Sequence, residues 1–99
     1  MPKIAREEED LLLARVSGEW RGRGFADLAE RVRAGGHEAY QRVGPSGRLY
    51  NVEVQVLWDH KPGGPVRVLV SVDDGSLIGA LKPRCSDFML SPNGTFIGE

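Results

Sequence analysis

The stretch Tyr50-Asn51-Val52-Glu53-Val54-Gln55-Val56-Leu57-Trp58, followed after a seven-residue interval by Val66-Arg67-Val68-Leu69-Val70-Ser71-Val72-Asp73, decides the fold of this chain. In both runs an aromatic or a valine falls at every second position. That is the period of a strand with one buried and one wetter face. The interval Asp59-His60-Lys61-Pro62-Gly63-Gly64-Pro65 is rich in turn formers. Both valine sets must point into the same interior, because a slip of one residue would carry a whole set into water. This predicts an antiparallel register of Trp58 with Val66, Val56 with Val68, Val54 with Val70 and Val52 with Val72.

Toward the C-terminus, Asp73-Asp74-Gly75-Ser76 predicts a tight turn, with Asp74-Gly75 suited to type I′. Leu77 to Leu81 is then expected to return as the next strand. Pro92-Asn93-Gly94, between Phe88-Met89-Leu90 and Phe96-Ile97, predicts a small hairpin, and Ser86-Asp87 is a competing cap for a helical turn. Upstream, Glu38 to Val43 and Gly44-Pro45-Ser46-Gly47 predict another hairpin arm. Its facing is ambiguous, since Tyr40 and Val43 have opposite parity.

Before residue 37 the period is helical. Leu12, Val16 and Trp20 recur at i, i+4 and i+8, predicting a helix from about Ile4 to Val16 with a stop at Ser17-Gly18. The run Glu7-Glu8-Glu9-Asp10 reads as a solvated face toward the favourable N-terminal half. Phe25, Leu28, Ala29 and Val32 make one stripe of a second helix, closed by Gly35-Gly36. Arg31 and Arg33 suit its negative end. The expected architecture is α+β: a single domain over 1–99, helical over 1–36 and strand-rich over 37–99. Two N-terminal helices pack on one face of a four- or five-stranded antiparallel meander.

Composition excludes more than it identifies. The chain has 99 residues, 40% hydrophobic and 27% charged, with a net charge of −1. Residues 1–33 carry seven basic and seven acidic side chains and the rest six and seven, so neither half forms a basic arm. The lone Cys85 allows no intramolecular disulfide and fits a reducing, cytoplasmic setting. The N-terminus lacks the apolar core of a signal peptide, and no apolar run approaches the ~20 residues of a membrane span.

Cys85 with His37 or His60 would need nucleophile and base within about 3 Å, yet the two histidines fall on different strands or loops and Cys85 in an expected connector. Asp59, Asp73, Asp74 and Asp87 do not make a shared cation site. Asp59 and Asp73 sit at opposite ends of the central hairpin, roughly 26 Å apart at ~3.3 Å per residue. Arg21-Gly22-Arg23-Gly24 is a single copy of an RGG-like element, and Tyr50 and Trp58 point inward rather than forming a stacking platform. Gly63-Gly64 and Gly44-Pro45-Ser46-Gly47 lack the Lys-Ser/Thr and helix of a P-loop. The residues thus point to no cofactor, no metal and no catalytic set. Leu57, Leu69, Ile78 and Ala80, with Arg67 among them, fall on the face opposite the valines and are the expected interaction surface.

The run Val52 to Val68 with its Trp58-Asp59-His60-Lys61-Pro62-Gly63-Gly64 turn, then Ser71-Val72-Asp73-Asp74-Gly75, and Ser91-Pro92-Asn93-Gly94-Thr95-Phe96-Ile97-Gly98-Glu99, resembles a family of small bacterial domains of unknown function. Those domains share a WD-x-KPGG, DDGG and SPDG-x-F-x-GE pattern. The resemblance covers residues 50–99 and departs at Ser76 to Arg84, where an aromatic strand is expected. It implies no activity. The reading that fits best is a non-enzymatic protein-interaction or accessory module, of immunity type by fold analogy. Its partner would be another protein or a second copy. The alternatives are a small enzyme or ligand binder using Cys85, His60 or Asp59 near a loop pocket, and nucleic-acid binding through Arg21, Arg23, Arg31 and Arg33.

Overall fold

The computed structural model describes residues 3–76 and 83–99. Two helices, α1 (Lys3–Arg21) and α2 (Phe25–Arg33), precede five strands: β1 (His37–Val43), β2 (Leu49–Trp58), β3 (Val66–Asp73), β4 (Arg84–Leu90) and β5 (Phe96–Ile97). The strands form one antiparallel sheet in chain order, and both helices pack on one face of it. The fold is therefore the α+β meander that the alternation predicts.

The central register matches residue for residue: Trp58 faces Val66, Val56 faces Val68, Val54 faces Val70 and Val52 faces Val72. All seven of these valines are buried, beside Tyr50, Phe88 and Leu90 from the sheet and Leu12, Val16, Trp20 and Leu28 from the helices. Fixing each valine costs little side-chain entropy, because its χ1 is already restricted.

Helix α1 does not stop at Ser17-Gly18 but runs on to Arg21. Trp20 lies one turn past Val16 on the same stripe and is buried. Burying an indole outweighs the roughly 1 kcal/mol that one helical glycine costs. Helix α2 ends in a Schellman motif, with the Gly36 N–H donating to the Arg31 carbonyl at 2.8 Å and the Gly35 N–H to the Val32 carbonyl at 3.2 Å. Gly35 and Gly36 have φ of 117° and 69°.

Two hairpins use the same three-residue loop. Gly44 N–H donates to Arg48 O across Pro45-Ser46-Gly47, and Ser91 N–H to Thr95 O across Pro92-Asn93-Gly94. Proline presets the first φ, and Gly47 and Gly94 take the left-handed position at 87° and 86°.

The expectation for residues 73–90 is corrected. The strand beside β3 is Arg84–Leu90, paired from Val72 with Arg84 to Val66 with Leu90. Leu77 to Leu81 lies outside the described residues. Phe88 and Leu90 anchor this pairing by bringing large apolar groups opposite Val68 and Val66. Asp74-Gly75 forms no type I′ turn, since among the described residues only glycines have positive φ. Instead, Asp73 Oδ1 accepts from the Gly75 N–H at 2.8 Å and Asp74 Oδ1 from the Ser76 N–H at 3.0 Å, the Asx geometry of a wider connection. Cys85 and Ser86-Asp87 consequently belong to a strand, not to a connector or a helical turn. The ambiguity in β1 is resolved with Glu38, Tyr40 and Arg42 on the helix side and Val43 outward, 61% exposed.

Candidate functional site

One side of the sheet carries both helices; no described element covers the other. Strand parity puts His37, Ala39, Gln41 and Val43 of β1 on this open face. Leu49, Asn51, Glu53, Gln55 and Leu57 of β2 join them, with Arg67, Leu69, Ser71 and Asp73 of β3. Cys85, Asp87 and Met89 of β4 and Ile97 of β5 complete the face. Leu57, Arg67, Met89 and Ile97 are successive cross-strand neighbours in one row, with Leu69 a step along the sheet. Arg67 donates to Asp59 at 3.0 Å and to Asp87, and its Nη2 lies 3.2 Å from the Met89 sulfur. With its guanidinium held by two carboxylates, Arg67 lies among apolar neighbours as a fixed strut. Beside this row, Glu53, Gln55, Leu69, Ser71 and Cys85 line a shallow hollow of about 220 Å³.

The structure thus joins Leu57, Arg67 and Leu69 on one surface as expected. Ile78 and Ala80 lie outside the described residues. Met89 and Ile97 extend the surface but were missed, because their facing depends on the β4 register, which local alternation did not reveal.

A second arrangement was also missed. The acidic run of α1 is not a solvated face throughout: Glu7 and Asp10 are exposed, but Glu8 and Glu9 are buried. Glu8 accepts from the Ser46 N–H (2.7 Å), the Ser46 hydroxyl (2.6 Å) and the Tyr50 hydroxyl (2.9 Å). The Ser46 bonds, foremost, hold its pKa below the ordinary carboxyl value, and burial with the Glu8 bond pushes the Tyr50 phenol up to about 12. Gly44 makes room for the cluster, since a Cβ there would stand 2.7 Å from the Tyr50 ring and 2.9 Å from Glu8. Glu9 is fully buried, and neither carboxyl oxygen has a hydrogen-bond partner among the described residues. Burial first, then the neighbouring Asp74 charge, raises its pKa, against an opposing pull from Arg84. The usable signal was spacing: Glu9 precedes Leu12 by three residues and Val16 by seven, on the buried stripe.

The remaining candidates are dispersed. Exposed Cys85 pairs with Ser71 on the open face, its Sγ 3.6 Å from the Pro83 carbonyl. His37 is on the same face but at the outer strand, three strand spacings and two residues along, roughly 16 Å away. His60 sits in the loop beyond Trp58. Asp59 and Asp87 meet at Arg67, while Asp73 and Asp74 stand at the other end of the hairpin. Among the described residues no three His, Cys, Asp or Glu side chains gather as metal ligands. Each arginine of the RGG-like region has a carboxylate neighbour: Arg21 with Glu99, Arg23 with Asp27, Arg31 with Glu38 and Arg33 with Glu30. No helix among the described residues is long and apolar enough to cross a membrane. No family model matches the chain, no curated protein matches it and no solved structure matches it.

Proposed function

We propose that this chain is a protein-interaction module whose docking surface is the open face of its sheet. The observation that carries this reading is the apolar row Leu57, Met89 and Ile97, with Leu69 beside it, on a sheet whose helices all lie on the other side. Leu57 and Ile97 are more than a third exposed. Apolar side chains grouped on a rigid sheet, with one immobilised arginine among them, have the composition of an interface centre. A protein partner is favoured over nucleic acid because the arginines of residues 21–33 already face carboxylates, and a bound phosphate would have to displace them. An accessory or immunity-type role is the finer form of this proposal and rests on fold analogy alone.

The test is comparative capture from the native cell, with cross-linking, using the wild type and the Leu57→Glu, Leu69→Glu double variant. The expected result is a stoichiometric protein partner retained by the wild type and lost by a double variant with an unchanged circular dichroism spectrum. Recovery of the same proteins by both would refute the docking face.

A further inference from the structure

The two margins of the sheet differ. The margin after β4 is a two-residue strand, β5, whereas the margin before β2 is the seven-residue β1. Strand β1 contains no proline, lysine or glycine, and no described strand lies beyond it. Proteins ordinarily blunt such an edge, because its free N–H and C=O groups are a template for another strand.

Which groups are free follows from the register. Gly44 N–H bonds Arg48 O, and Val56 N–H bonds Gly36 O, bracketing β1 at both ends. Both are directly facing positions in the register that pairs Val43 with Leu49 and His37 with Gln55. In an antiparallel ladder the hydrogen-bonded pairs alternate. Hence Glu38, Tyr40 and Arg42 direct their main-chain groups toward β2. His37, Ala39, Gln41 and Val43 direct theirs outward.

We propose that β1 pairs with β1 of a second copy of this chain, antiparallel about a two-fold axis at Tyr40, joining two sheets into one of ten strands. This register pairs every outward-directed residue: His37 with Val43 and Ala39 with Gln41, each twice by symmetry and each with two main-chain hydrogen bonds. It also sets Glu38 opposite Arg42 and Arg42 opposite Glu38 at non-hydrogen-bonded positions, where facing side chains stand closest. Moving the centre to Ala39 or Gln41 leaves an outward residue unpaired and sets Glu38 or Arg42 against Tyr40. The charges are already positioned from within, with Arg31 holding Glu38 at 2.6 Å and Glu19 holding Arg42 at 2.9 Å. Across the two-fold axis they form an alternating network rather than an isolated pair.

The association is independent of the open face, and its test leaves Leu57, Leu69 and Met89 untouched. Sedimentation velocity of the wild type should show a concentration-dependent dimer. Ala39→Pro removes an outward N–H that the monomer does not use, so it should leave the fold intact and yield a monomer. Glu38→Lys and Arg42→Glu should each weaken self-association about tenfold or more, by placing like charges across the axis. Mixing these two variants should restore dimers, because each introduced charge then faces its opposite, although both chains still lack an internal ion pair. A wild type that stays monomeric would overturn the inference. So would a dimer indifferent to Ala39→Pro, or a mixture of the charge variants that associates no better than either alone.

Discussion

Glu8 and Glu9 are adjacent carboxyls with opposite electrostatics. Three donors reach Glu8, so its folded pKa lies below the ordinary value near 4.5. Its stabilisation is present above that value and is lost as pH falls through the depressed one. None reaches Glu9, and its folded pKa is raised. Its contribution is therefore full below the ordinary value and is lost as pH rises through the raised one. Glu9→Leu should stabilise the protein at neutral pH, by about 1–3 kcal/mol, the cost of a buried polar group without a partner. That gain should shrink toward pH 4 when urea melts are compared. Glu8→Gln should do the reverse, destabilising at pH 7 and less so in acid. The spacing of Glu9 from Leu12 and Val16 marks it for the buried stripe, against the solvated reading of the acidic run. The partners of Glu8 come from Ser46 and Tyr50, 38 and 42 residues away, and helical pattern carries no information about them.

Helix α2 is joined to the sheet through one backbone approach. A Cβ on Gly36 would stand 2.2 Å from the Val56 carbonyl oxygen, and its φ of 69° disfavours any side chain. Gly36→Ala should therefore cost at least about 1–3 kcal/mol and loosen the α2–β2 junction, seen as faster amide exchange at Val56. Leu28 of α2 is fully buried in the core, so Leu28→Ala should lower stability by roughly 2–5 kcal/mol, read from the urea midpoint. Both helices announced themselves by period, but the end of α1 did not. Ser17-Gly18 carries a local stop signal, and only the sheet beneath Trp20 overrides it.

The sheet has one side covered by the helices and one that no described element covers, and perturbations on the two should differ in kind. Leu57→Glu, at an exposed position, should move stability by no more than about 0.5 kcal/mol, and Leu69→Glu, half-buried and opposite Asp87, should cost about 1 kcal/mol, while together they remove partner binding. Cys85 reports on the same face. It is exposed and should react with a thiol reagent in the folded protein without prior unfolding. A partner seated on the face should slow that reaction, and an unchanged rate in its presence would place the partner elsewhere.

By itself the sequence determined the central hairpin, its register, the helical third and the three-residue turns. Each rests on information within a few residues: a period of two or 3.6, or a proline and a glycine at set positions. Tertiary structure decided that Arg84–Leu90 lies beside β3, with Phe88 and Leu90 buried opposite Val68 and Val66. It also decided that Met89 and Ile97 join Leu57, that Glu8 has three donors and that no described strand lies beyond β1. These are long-range choices, made by competition for one interior, and no local pattern encodes the outcome.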